Sequence, residues 1–343
     1  MFSIKEAIIR LNRKENLSRE ESRGIFLEII SGGVSETDLA SFLTALSAKK
    51  ESPEEIAGAA LALRKKMVKI STGKNALILD NCGTGGTGKN TFNISTSVAF
   101  VVSACGVKVA KHGNRSATSN FGSADALEAL GVNINLTPGE ASEILKEIGI
   151  VFLYAPNFHP AMKYAAKVRR SLGFRTIFNL LGPLCNPALS NIQVIGVYDA
   201  GLTEIVARAL KELKTKKAFV VCGMDGLDEI TLSDKTKITE LSNNEIRTFF
   251  VTPEDFGLKK GNLKDAEVRD IKENTAKILK VLNGSPGTNL DIVLANASCC
   301  LLASGVARDF KDGVILARQA VKSKEALKKL ELLKQLTNRV RSG

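Results

Sequence analysis

The chain has 343 residues, with 48 Lys and Arg against 36 Asp and Glu, a net charge of +12; 44% of residues are hydrophobic, three are Tyr and none is Trp. That globular mix excludes a disordered chain, a collagen-like repeat and a disulfide-stapled miniprotein, and the length suffices for two buried cores. The positive surplus fits nucleic acid, a small polyanion or plain solubility.

The first 70 residues repeat one device. Ser3 precedes Glu6, Ser18 precedes Glu21, Ser35 precedes Asp38, and Ser52-Pro53 precedes Glu55. Each is a capping-box signal, in which the hydroxyl accepts a helix-end amide and the acid reaches back. Apolar residues follow at helical spacing (Ile4, Ile8, Leu11; Ile25, Ile29; Leu39, Phe42, Leu43, Leu46). Four short helices are predicted, with a boundary near Ser71-Thr72-Gly73.

Strands and helices then alternate. Strands are predicted at Ala76–Asp80, Val107–Ala110, Val151–Tyr154, Ile192–Val197 and Ala218–Cys222. Helices are predicted near Asn93–Ala104, Ser123–Leu130 and Gly139–Ile148. This order implies a largely parallel sheet covered on both faces. The stretch Met162–Pro187 breaks the alternation and is expected to return to the helical part. From Lys322 onward, seven Lys and Arg against two Glu mark an amphipathic basic helix, with Ala326, Leu327, Leu330, Leu332 and Leu333 for packing.

The charged start predicts no secretory signal, and the longest apolar stretch, Val98–Val107, is about half a membrane span. Six cysteines, none spaced C-x-x-C, and only two histidines argue against a zinc site; buried thiols in a reducing cytoplasm are expected.

Three segments carry chemistry. Gly83–Gly88 joins a strand to a helix, and unpaired amides at a helix start favour an anion. Gly83, Gly85 and Gly88 match G-x-G-x-x-G, but the second strand runs into the basic Lys111-His-Gly-Asn-Arg115 instead of an acid. Gly83–Lys89 is close to a Walker A loop, but Asn90 stands where a hydroxyl should ligate magnesium. In the second segment, Lys111, Arg115, Ser116, Thr118 and Ser119 could grip phosphate, and Asn114 offers a neutral amide. In the third, adjacent carboxylates at Asp228-Glu229 follow a strand. A magnesium site and an ordinary acidic turn both fit them, the turn more simply.

Taken together, Gly83-Thr-Gly-Gly, Asn93-Ile-Ser-Thr96, Lys111-His-Gly-Asn-Arg115, the Arg175–Leu184 segment and Asp228-Glu229 resemble the anthranilate phosphoribosyltransferases over nearly the whole chain. The resemblance implies an α/β fold of the nucleoside phosphorylase/phosphoribosyltransferase type. A small helical domain (1–72, rejoined by helices within about 162–187) accompanies a large α/β domain (73–343) with a mainly parallel sheet. It implies transfer of a phosphoribosyl group from phosphoribosyl pyrophosphate (PRPP) to anthranilate in tryptophan biosynthesis.

It also implies roles, residue by residue. PRPP would meet Gly83, Gly86, Thr87, Thr91, Asn93, Ile94, Ser95, Thr96, Lys111, His112, Gly113, Asn114, Arg115, Ser116, Ala117, Thr118, Ser119 and Ser123. Anthranilate would meet Gly83, Asn114, His159 and Arg169, with Arg170 a rival for the last. Ser95, Asp228 and Glu229 would hold Mg²⁺, two ions in all. No covalent nucleophile is implied; Asn114, Arg169 and His112 would position the substrates. A cytoplasmic homodimer formed through the small domain is implied, with no nucleic-acid or membrane partner. The family loop is commonly Gly-Thr-Gly-Gly-Asp-Gly, and Thr87 replaces its Asp. A pyrimidine nucleoside phosphorylase and a nucleic-acid-binding paralogue are the rival readings.

Overall fold

The computed structural model describes residues 2–74, 76–115 and 121–339. Four helices open the chain: α1 (Ile4–Asn12), α2 (Arg19–Ile29), α3 (Glu36–Lys49) and α4 (Pro53–Lys66). Capping boxes start α1, α2 and α4. At α3 the Ser35 hydroxyl accepts the Asp38 amide and donates to its carboxylate, but the return bond to the Ser35 amide is not made. The expected fourth box is thus half formed.

The larger part follows in order: β1 (Ile78–Asp80), α5 (Ile94–Ala104), β2 (Lys108–Gly113), α6 (Ser123–Ala129), α7 (Pro138–Ile148), β3 (Ile150–Tyr154), α8 (Ala155–Phe158), α9 (Lys163–Leu172), α10 (Phe178–Leu184), β4 (Ile192–Gly196), α11 (Leu202–Glu212) and β5 (Lys217–Gly223). A hairpin, β6 (Thr236–Ser242) and β7 (Glu245–Val251), comes next. Four helices then close the described chain: α12 (Ile271–Leu282), α13 (Thr288–Ala303), α14 (Phe310–Lys322) and α15 (Glu325–Arg339).

The seven strands run β3-β2-β1-β4-β5-β6-β7, parallel except for the two pairings of the hairpin. Strand order reverses beside β1, so the loops after β1, β2 and β4 leave one carboxyl edge at the topological switch point. Ligands of open α/β sheets bind there.

Two apolar cores flank the sheet. One buries α5 and α13, the apolar face of α15 and the faces of β1 to β3 turned towards them. The other joins α1 to α4 with Ala165 and Val168 of α9, Phe178 and Leu181 of α10, Val206 and Leu210 of α11, and Ile195 and Val220 of the sheet. The helical bundle is thus not a free-standing ball; its core runs on into one sheet face. Helices α9 and α10 return to it from the middle of the chain and form one wall of the cleft above the switch point. Helix α15 buries Ala326, Leu330, Leu333 and Leu336 and exposes Lys328, Lys334 and Arg339, while half-buried Lys329 donates to the Ile148 carbonyl. All six cysteines are free, four of them buried.

Candidate active site

The carboxyl edge opens into a cleft of about 340 Å³, within the range of ligand sites. The loop after β1 forms its floor. Gly85, Gly86 and Gly88 have φ of +63°, +79° and +73°, a region open to glycine without strain, so the loop can turn tightly along the cleft it lines. The Gly85 N–H donates to Asp228 Oδ2 at 2.9 Å, and the Thr84 N–H to the Gly196 carbonyl at 2.8 Å. The loop bearing Asp228 crosses directly over Gly196; a β-carbon there would overlap the Asp228 carbonyl. Gly196 therefore sets how close the carboxylates come to the glycine loop.

Asp228 and Glu229 both line the cleft. Burial raises the Asp228 carboxyl above its ordinary value. Burial, with the neighbouring Asp228 charge, pushes Glu229 up to about 8. Lys111 works against both shifts. It is 4% exposed, and its ammonium donates to the Asn81 carbonyl and to Ser95 Oγ, each at 3.2 Å. Two carboxylates, a hydroxyl and one lysine thus meet where α5 begins. Two hydrogen bonds from Asn274 fix Asn93 at that helix start: its side-chain carbonyl accepts the Asn93 amide at 3.0 Å, and its amide donates to Asn93 Oδ1 at 2.6 Å.

Along the β2 edge, Asn114 Oδ1 accepts the Arg115 amide at 2.7 Å. The Arg115 guanidinium pairs with Asp125 and Glu128, each at 2.6 Å, and lies over the Tyr154 ring. It borders the cleft but is already neutralised. Ser116, Ala117, Thr118 and Ser119, expected to bind phosphate, lie outside the described residues.

The opposite end is aromatic. Arg169 lines the cleft with its guanidinium over the Phe178 ring, 5.0 Å from the centroid, while Arg170 is exposed and away from it. His112 also lines this end. Its Nδ1 is 3.1 Å from the Gly182 carbonyl, and burial followed by the His159 ring pulls it down to about 3, so it is neutral near pH 7. Arg175, on the bundle side, donates to the Gly86 carbonyl and stacks over Tyr198 at 4.2 Å, which joins the two walls.

Of the described residues expected at the site, Gly83, Gly86, Thr87, Thr91, Asn93, Ile94, Ser95, Lys111, His112, Gly113, Asn114, Arg115, Ser123, Arg169, Asp228 and Glu229 border this one cleft. Two residues expected at the site do not border it. Thr96 faces away, against Phe100 and Leu333, because one helical step from Ser95 turns the side chain by about 100°. His159 does not reach the cleft. Its ring packs behind His112 at 5.1 Å, and burial lowers it to about 4. Sequence reasoning assigned no role to Cys82, Lys89, Phe121, Phe178, Asn179 or Pro183, which also line the cleft. Phe178, Asn179 and Pro183 lie in the Arg175–Leu184 motif, which was the available signal.

Comparison with known proteins gives one answer. The model of a glycosyl transferase family helical bundle domain matches residues 5–67, and that of the family's a/b domain matches 75–327. Anthranilate phosphoribosyltransferase of Citrifermentans bemidjiense is 46% identical, covering 98% of this chain and 99% of its own. The crystal structure of the Thermus thermophilus enzyme of that name superposes with a TM-score of 0.93 at 39% identity, over 98% of this chain and 100% of that one. The Saccharomyces cerevisiae enzyme in complex with PRPP and Mg gives 0.90 at 31% identity, over 98% of each chain. With the cleft geometry and whole-length likeness in agreement, this chain belongs to the anthranilate phosphoribosyltransferase family.

Proposed function

We propose that the cleft transfers the phosphoribosyl group of PRPP to the amine of anthranilate, giving N-(5-phosphoribosyl)anthranilate and pyrophosphate, a step of tryptophan biosynthesis. One observation carries the reading. The glycine loop, Lys111 and the Asp228-Glu229 pair share a cleft with Arg169, so a polyphosphate end and a carboxylate-reading end face each other.

The amides of Gly83–Gly88 and the start of α5 cradle the pyrophosphate. Asn93, Ile94 and Thr91 border the ribose beside them. A guanidinium matches a carboxylate in two parallel bonds, so Arg169 holds that of anthranilate. Asn114 and the neutral His112 set the ring so that the amine faces the anomeric carbon. The amine is already a nucleophile, and no side chain forms a bond to the sugar. As the C–O bond to pyrophosphate breaks and the C–N bond forms, positive charge grows on the ribose and negative charge on the leaving group. The loop amides are aligned with the latter before reaction, and the walls supply positioning.

Ser95, Asp228 and Glu229 fit Mg²⁺. All three offer hard oxygens, and two adjacent carboxylates share this end of the cleft with a single lysine, Lys111. Two ions are part of this reading, and when bound they neutralise the pyrophosphate oxygens. A homodimer through the helical bundle also belongs to it, supported by exposed Ile9 and Tyr164 on that bundle. So does a cytoplasmic location. Among the described residues no helix is long and apolar enough to cross a membrane.

The test is direct. Protein, Mg²⁺, anthranilate and PRPP are mixed and the loss of anthranilate fluorescence is followed. Turnover with both substrates is expected; none with either one saturating overturns the assignment. Phosphorolysis of thymidine would favour the phosphorylase reading instead.

A further inference from the structure

Beneath the cleft wall lies a cluster that the transfer chemistry does not use as a group. Asp80 ends β1, Cys82 follows two residues on, and His112 stands near the end of the neighbouring β2. Side chains alternate along a strand, so His112 points to the face opposite Lys111. A carboxylate oxygen of Asp80, Sγ of Cys82 and an imidazole nitrogen of His112 lie within 4.8 Å of one another. Asp80 and His112 are 1% and 4% exposed.

Their hydrogen bonding is incomplete. Asp80 Oδ1 accepts the His112 amide at 3.1 Å, but buried Oδ2 has no partner. The Asn186 amide donates to the Ala110 carbonyl at 2.7 Å and also lies close enough to the Asp80 carboxyl to favour its charged form, against the burial that raises it. His112 Nδ1 is occupied by the Gly182 carbonyl, and buried Nε2 has no partner. A donated Nδ1–H leaves Nε2 as a lone-pair donor, the arrangement found behind metal-ligating histidines. Buried polar atoms without a partner are costly, and the Cys82 thiol beside them donates only to the carbonyl of the next residue, Gly83, at 3.5 Å.

We propose that Asp80, Cys82 and His112 form a binding site for a divalent cation of the zinc class, separate from the Asp228-Glu229 pair. Thiolate, imidazole and carboxylate together suit zinc or cobalt and not magnesium, which keeps to oxygen. On binding, the Cys82 thiol gives its proton to solvent and the thiolate takes the metal. Three protein ligands leave a fourth position open. Cys82 and His112 both border the cleft, so an ion held there would be reached from it.

The probe is Co²⁺, titrated into the full-length protein with Mg²⁺ saturating. One equivalent is expected to bind with a thiolate-to-cobalt charge-transfer band, displaced by Zn²⁺. Cys82→Ser should abolish the band and weaken Co²⁺ binding at least about tenfold, with the near-ultraviolet dichroism unchanged. A second measurement needs no variant: Zn²⁺ should protect Cys82 from alkylation, read by peptide mass, while Mg²⁺ does not. No charge-transfer band in the wild-type protein, a band that survives in C82S, or alkylation of Cys82 unaffected by Zn²⁺ would each overturn the site.

Discussion

At one end of the cleft, glycines with left-handed φ make a tight backbone turn, and Asp228 and Glu229 are brought close to it by the crossing over Gly196. At the other end, Arg169 lies on Phe178 and a neutral His112 is fixed to Gly182. The first end is built from charge and backbone, the second from ring faces and one guanidinium. The difference matches what each must do. The phosphate end has to follow charge that grows during reaction, where preoriented dipoles act most strongly. The acceptor end has to hold a flat acid without adding a proton to its amine, and a histidine that stays neutral near pH 7, His112, serves that purpose.

The largest expected effect is at the charged end. Asp228→Asn with Glu229→Gln should lower kcat/KM by about 10²–10³-fold, the scale of lost transition-state charge stabilisation, and raise the Mg²⁺ concentration needed. An unchanged Mg²⁺ titration would reject the metal role. At the acceptor end, Arg169→Ala should raise KM for anthranilate about 10–100-fold, as for one charged hydrogen bond, and leave KM for PRPP nearly unaltered. Arg170→Ala, whose side chain is exposed, should change neither. Steady-state kinetics with each substrate varied separates the two ends; an equal rise in both KM values would break the comparison.

The charged end was the more legible in the sequence. A glycine loop between strand and helix, a cap at each early helix and a carboxylate pair after a strand are local signals. The order of strands then brings them to one edge. The acceptor end depends on contacts between distant segments. That Phe178 and Asn179 face the cleft follows from α9 and α10 returning to the bundle, which no local pattern specifies. His159 looked equivalent to His112, but packing sends it behind the wall. Arg115 looked like a phosphate grip, yet its partners Asp125 and Glu128 lie in the first and second turns of the next helix. The β6–β7 hairpin was unforeseen although a cue was present: Asn243-Asn244 takes φ of +50° and +66°, a primed turn between strands. The strand after it alternates weakly because it is an exposed edge.

A pH experiment sharpens the charged end further. Glu229 has a folded value raised to about 8 from an ordinary 4.5. Its protonated form is favoured on folding, so its contribution to stability is complete below about 4.5 and is lost as pH rises through about 8. Without Mg²⁺, Tm should therefore fall between about pH 5 and 9 by more in the wild type than in Glu229→Gln, and Mg²⁺ should narrow the gap. A difference between the two proteins that stays constant across that range would mean the carboxyl is not strained by burial.

The smallest effect is expected at Thr87. Its hydroxyl accepts the Lys89 amide at 3.2 Å, a local turn that steadies the loop but brings no charge to it. The cleft therefore has Asp228 and Glu229 on one side of the phosphate cradle and, among the described residues that line it, no carboxylate on the other. Thr87→Asp can keep the turn, since an Asp oxygen accepts the same amide, and adds a negative charge within reach of a magnesium-bearing phosphate. The Mg²⁺ concentration for half-maximal rate should fall about two- to tenfold, corresponding to one partly exposed charge, with KM for anthranilate unchanged. A shift confined to anthranilate would show that the glycine loop reads the acceptor as well, and the division between a charged end and an aromatic end would fail at its centre.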